Sequence, residues 1–279
     1  INRILMAKPI EQVEQDLTKL RIASSQLGIE LTTVYKSYFA SLASTLKQQS
    51  IQGCYYLCTN GYPEAFLKLS YNQRSQLLKT LQRVINNAVV DLVVQIEPSA
   101  RTNDDDEPTG ELTSIPTMPT NWFATPTSLS TWQKQLEEEI SHSLKEISYK
   151  VDLLLQQGQV LPQSIPKPIL EANPQADRQG GSIMNIPNLL SVLIEQEDPN
   201  AEKLIDRQED DVPNVLQIHS LYLRLTEIEF SDGTVLSCRK QINQLVNKIS
   251  VLQREYLQKQ QELKIAEAES AWRNSWFED

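Results

Sequence analysis

The chain has 279 residues, 40% of them hydrophobic, with 26 Lys/Arg against 36 Asp/Glu and a net charge of −10. No run approaches the roughly 18 uncharged apolar residues that cross a bilayer. Three cysteines are too few for a disulfide framework, which points to a reducing cytoplasm. With only 8 Gly and 5 Phe beside abundant Gln, Leu, Glu and Ser, the composition favours helices over sheets.

The charge is uneven along the chain. Residues 1–96 carry ten Lys/Arg and six Asp/Glu, residues 97–213 eight against twenty-one, and residues 214–279 eight against nine. A mildly basic head is thus followed by an acidic middle, whose charge either attracts the head or keeps a loose region soluble. The opening residues lack the charged and then apolar pattern of a secretory signal. Met6-Ala7-Lys8-Pro9 reads as a natural start, which leaves open whether residues 1–5 belong to the native chain.

A helical head domain is expected over 9–96. Pro9 suits a first helical turn, Val13, Leu17 and Leu20 share a face after it, and Gly28 breaks the pattern. A second helix is expected from Thr32 to Gln49, with Val34, Tyr38, Leu42 and Leu46 on a stripe. Gly53-Cys54-Tyr55-Tyr56-Leu57-Cys58 reads as a short buried helix ended by Asn60-Gly61 and Pro63. Ser70 and Gln73 have capping-box spacing ahead of a helix carrying Leu77, Leu78, Leu81, Val84, Ile85 and Val89. The end of that helix, Val89–Val94, is β-branched enough to suit a strand as well.

Residues 97–128 form an acidic, Pro/Thr/Ser-rich stretch that reads as a disordered linker. Trp122 and Phe123 stand out in it, as a docking pair or as local packing on the next helix. An amphipathic helix is expected over 129–158, with Trp132, Leu136, Ile140, Leu144, Ile147, Val151 and Leu154 on its face. Gly158 is placed as its stop. Residues 159–213 read as mostly disordered and acidic. Within them, 186–196 is an apolar island expected as a short helix, in which Leu189, Leu190 and Leu193 either dock into a partner or fold back on the chain.

The last region, 214–274, reads as a helical hairpin or one long coiled-coil helix, with Ser231-Asp232-Gly233-Thr234 as the turn or fault. Its seam alternates steps of three and four: Val235, Cys238, Ile242, Leu245, Ile249, Leu252, Tyr256, the interruption Lys259, then Leu263 and Ala266. Such a seam asks for a partner helix. Trp272 and Trp276, four apart, place two indoles on one face and suit either a packing cap or an interface anchor.

Chemistry is sparse. Cys54 and Cys58, four apart, suit a thiol or metal sensor or two small core residues. Zinc needs about four ligands, and the remaining candidates His142, His219 and Cys238 sit on separate segments. No glycine-rich phosphate loop is present, two histidines are poor material for a catalytic triad, and Glu137-Glu138-Glu139 circles a helix, which reads as a solvated run and not as acid–base pairing. Neither catalysis, a cofactor nor a bound metal is expected.

Arg21 to Lys36 resembles a helix-turn-helix, with Ser24 four residues before the turn glycine Gly28, Leu27 and Ile29 flanking it, and Val34 packing back. That resemblance implies DNA binding by the second helix through Thr32, Thr33 and Lys36, although Leu31 is apolar where the family exposes a polar residue. The ending Leu263–Phe277 and the block Gly53–Cys58 resemble uncharacterised cyanobacterial helical and coiled-coil proteins, which implies a bacterial cytoplasmic setting and no activity.

The reading is therefore an all-α, non-catalytic scaffold: a helical N-terminal domain, disordered acidic linkers and a long C-terminal coiled-coil helix. It expects a protein partner or a homo-oligomer through Ile242, Leu245, Ile249, Leu252, Tyr256 and Leu263, with no nucleic acid and no transmembrane segment.

Overall fold

The computed structural model describes residues 10–94, 124–162, 187–195 and 215–276. Among them the protein is all-α apart from one two-stranded antiparallel sheet. The elements are α1 (Ile10–Tyr56), a π turn (Leu57–Gly61), α2 (Pro63–Lys68), α3 (Tyr71–Val94), α4 (Pro126–Gln157), β1 (Leu189–Glu195), β2 (Val215–Leu221), α5 (Leu225–Ser231) and α6 (Gly233–Trp276). No described helix is long and apolar enough to cross a membrane.

Residues 10–56 form one helix, and the two expected breaks inside it disappear. Gly28 is helical and buried, and so is Ser24 one turn before it. A mid-helix glycine costs about 1 kcal/mol relative to alanine, less than burial along a packed face returns, so tertiary packing overrides the local signal. Gly53-Cys54-Tyr55-Tyr56 continues the same helix, which ends in a π turn closed by Tyr62 N–H to Leu57 O at 2.8 Å. Val89–Val94 is helix, not strand.

Local signals at other ends hold. Ser70 and Gln73 make the reciprocal capping box: Gln73 N–H donates to Ser70 Oγ at 3.3 Å and Ser70 N–H to Gln73 Oε1 at 2.8 Å. Helix α4 starts three residues earlier than expected because Thr125 and Ser128 cap each other in the same way, each backbone N–H meeting the other's hydroxyl (3.3 and 3.2 Å). It stops at Gln157, but the left-handed residue that turns the chain is Gln159, at φ 59°, not Gly158.

Two segments expected as helices are strands. Residues 189–195 and 215–221 pair antiparallel, Leu189 against Leu221 and Ser191 against His219. The helical region expected from residue 214 therefore begins only at Leu225, and Asp232, in extended backbone, separates α5 from α6. Of the linkers expected over 97–128 and 159–213, residues 97–123, with Trp122 and Phe123, 163–186 and 196–213 lie outside the described residues.

The chain divides into two compact units, not at a head of 9–96 but through the middle of α1 and α4. Among the described residues the first draws on 10–41, 124–139 and 233–276, and the second on 42–93, 140–162, 187–195 and 215–232. In the first, α6 runs antiparallel to α1: Tyr38 meets Arg239, Arg21 meets Tyr256 and Asp16 meets Lys259. Val13, Leu17 and Tyr256 form one core cluster there, flanked by Leu20 and Leu263. In the second, the hairpin lies close on α1, where Gly53 leaves room for Leu221: a β-carbon at Gly53 would come within 2.4 Å of the Leu221 side chain. Leu190, Ile218, Leu221 and Leu223 are all buried there.

Candidate functional site

The chemistry-bearing residues of the second unit gather along β2. The bond from Tyr222 N–H to Asn188 O (2.9 Å) fixes the phase of the ladder, so residues 219, 221 and 223 point their N–H groups away from β1. Each meets a side chain. His219 N–H donates to the Tyr62 hydroxyl (2.8 Å), which donates back to His219 O (3.0 Å). Leu221 N–H donates to Asp152 Oδ1 (3.0 Å), and Leu223 N–H to Ser148 Oγ (3.0 Å). Ser148 and Asp152 stand one turn apart on α4, so a helix face supplies the acceptors that a third strand would otherwise offer.

Asp152 is fully buried, and its Oδ2 has no hydrogen-bond partner. Burial pushes its carboxyl up to about 8, only partly offset by the bond from Leu221 N–H. The group is therefore mostly protonated at neutral pH. The signal in the sequence was a lone acid inside Val151-Asp152-Leu153-Leu154-Leu155. A carboxylate amid aliphatics on a helix's packed face is either paired or perturbed.

Cys54 and Cys58 are buried free thiols. Burial raises Cys58 to about 11 and raises Cys54 further, where Cys58 and Asp152 add to the effect. Both metal binding and redox attack need the thiolate, and burial here opposes its formation. Among the described residues no group of three or more His, Cys, Asp and Glu could hold a metal ion.

Ser191 Oγ lies 2.8 Å from His219 Nδ1. The two are directly opposed across the ladder, beside a recess of about 50 Å³ lined by Tyr56, Asn60, Gly61 and Leu189. Ligand pockets run to about 300–1,000 Å³, so the recess holds a water or two and no substrate of ordinary size. The pair acts as a cross-strand fastener. Burial lowers the pKa of His219.

A second node is Asn188, buried and left-handed at φ 60°. Its amide donates to Gln49 Oε1 (3.0 Å) and accepts from Arg224 N–H (3.0 Å), while its backbone N–H meets the Glu227 carboxylate. Asparagine tolerates that backbone region better than other non-glycine residues. One side chain thus pins the hairpin's start to α1 and to the loop before α5.

In the first unit the seam of α6 is covered within the chain. Ile242, Leu245, Ile249 and Tyr256 are buried, and Leu252 and Leu263 half-buried. The interruption, Lys259, reaches Glu262 (2.5 Å) and Asp16 of α1 (4.0 Å). Further along, Arg239 spans Glu137 Oε1 (2.6 Å) and the Tyr38 hydroxyl (2.7 Å), and Tyr35 donates to the same Glu137 oxygen (2.6 Å). Trp132 packs edge-on against Tyr35. Glu137, expected as one of three solvated acids, is thus the hub that ties α1, α4 and α6.

The remaining expected site residues are scattered. Leu189 is half-buried and Leu190 buried on β1, and the side chains of Leu193 and Trp276 lie outside the described set. Trp272 is 68% exposed on α6. Thr32 and Thr33 donate their hydroxyls to Gly28 O (2.8 Å) and Ile29 O (2.9 Å), and Lys36 is exposed on the same uninterrupted helix. The turn that a helix-turn-helix requires between two helices is absent, because the helix runs straight through Gly28.

Apart from Trp272, which the sequence singled out, the outer face of α6 was missed in the sequence. Val251, Leu257, Ile265 and Trp272 are between 47% and 68% exposed. Val251, Ile265 and Trp272 occupy one heptad position, off the buried seam. Comparison with known protein families, with curated proteins and with solved structures finds no match.

Proposed function

We propose that the protein is a non-catalytic, cytoplasmic scaffold that binds another protein through its C-terminal helix, with α1 and α6 forming an antiparallel coiled coil in one chain. The observation that carries the reading is the apolar row Val251, Ile265 and Trp272, turned outward on a helix whose inward face is already filled. These residues share one heptad position with the polar Gln258 between Val251 and Ile265, so they lie on one side of the helix, and helix-in-groove recognition reads residues so placed. Exposed aromatic and aliphatic residues aligned on one helix side, as Ile265 and Trp272 are one heptad apart, mark interaction surfaces more often than scattered ones do. Three unpaired buried cysteines agree with a reducing compartment.

The test is affinity purification of the full chain from its native cells, wild type beside Ile265→Asp with Trp272→Asp. Both side chains are largely exposed, so the variant should keep the wild-type thermal midpoint while losing the retained partner. If wild type and variant retain the same proteins in the same amounts, the outer row is not the binding surface.

A further inference from the structure

The sheet has two long edges, and they are treated differently. On β2 the outward N–H groups of His219 and Leu221 are closed by Tyr62 and Asp152. On β1 the same alternation turns out the backbone groups of residues 189, 191, 193 and 195, and among the described residues those of Leu189 and Ser191 meet no partner. The edge also lacks what keeps such edges apart: Leu189-Leu190-Ser191-Val192-Leu193-Ile194 contains no charge, proline or glycine.

We propose that the outer edge of β1 pairs antiparallel with β1 of a second copy about a two-fold axis at Val192, forming a four-stranded sheet. The occupant follows from the strand's own sequence. In that register residue 189 opposes 195 and residue 191 opposes 193, so outward groups meet outward groups along the whole strand. The single charge, Glu195, then faces Leu189 of the other copy. The two positions 195 stand about 20 Å apart along the backbone at strand rise, beyond the screening length of about 8 Å at physiological salt. The strand is its own complement, and the contact is isologous and closes on itself. It stands on the second unit alone, independent of the α6 row.

The experiment follows the mass of the full chain across a dilution series by light scattering, with amide exchange measured at each end. Wild type should dimerise, and the Leu189 and Ser191 amides should be protected only in the dimer. Ser191→Pro removes an outward N–H that β2 does not use and should weaken the dimer by about 10-fold or more. Ser191→Ala removes the same hydroxyl contact to His219 but keeps the N–H, and should leave the dimer within about 3-fold of wild type.

Should Ser191→Pro not fold, a charge pair gives the same answer: Leu189→Glu, placed against Glu195, should weaken the dimer more than Leu189→Lys. A chain that stays monomeric at its highest soluble concentration overturns the proposal. So does a dimer whose β1 amides exchange as fast as the monomer's, or one indifferent to both pairs of variants. Protection of β1 that appears only on adding an extended peptide of unrelated sequence assigns the edge to another partner and overturns it too.

Discussion

Asp152 sets the most specific expectation for a single residue. Its unfolded pKa is near 3.8 and its folded value about 8. Between those two, the folded chain holds a proton that the unfolded chain has released. Stability is therefore fully present below about pH 4 and is lost as pH rises through 8, with a slope of up to about 1.4 kcal/mol per pH unit. His219, lowered by burial, acts in the opposite sense: it favours folding above its ordinary value and opposes it as pH falls. The clean window for Asp152 is thus pH 6.5–8. Asp152→Asn keeps the acceptor for Leu221 N–H and removes the titration. Urea midpoints should fall between pH 6.5 and 8 in wild type and stay flat in the variant, and parallel curves would refute the assignment. Asp152 shows how much of the site was legible. Its oddness could be read from its aliphatic neighbours, but its partner, a backbone N–H 69 residues on, could not.

Elements show where local pattern stops being informative. Leu189–Ile194 is a short apolar run, and periodicity cannot separate a buried strand from a buried helix at that length. What decides is a mate at Val215–Leu221, across a stretch whose composition says nothing of pairing. The capping box at Ser70 was legible because both of its partners lie within four residues. Glu137 was misread for the opposite reason. Its helix position is polar by pattern, and only the arrival of Arg239 from α6 turns it inward. Arg239 leaves 11% of its side chain exposed and Glu137 25%. Such a pair is costly to break from one side. Arg239→Met, which keeps the stem and loses the fork, should lower stability by about 1–3 kcal/mol in chemical denaturation. Arg239→Lys should recover only part of that, since one ammonium cannot hold Glu137 and Tyr38 in the same fork geometry. Full recovery by lysine would mean that charge alone, and not the fork, carries the node.

On the scale of the whole molecule, the partner helix that the α6 seam asks for is α1. The seam was readable from Val235 to Ala266 despite the interruption at Lys259, because its steps of three and four never slip. Its mate was hidden because α1 does slip. Its packed positions run through Val13, Leu17, half-buried Leu20, Ser24, Gly28, Leu31, Tyr35 and Tyr38, with two consecutive steps of four from Leu20 through Ser24 to Gly28 and no large apolar side chain at the last two. A stutter of that kind erases the heptad in sequence while leaving the packing intact. The consequence separates two ideas about Ile249→Asp with Leu252→Asp. If the seam waited for another molecule, the isolated chain would keep its helicity and thermal midpoint, and only a complex would be lost. With Ile249 buried in the chain itself, two carboxylates enter a packed seam. Each costs several kcal/mol unless neutralised, against a total stability of about 5–15 kcal/mol. The intact, dilute variant should therefore lose helical circular dichroism and melt at a much lower temperature than wild type. An unchanged melt would show that α1 is not the helix that holds α6.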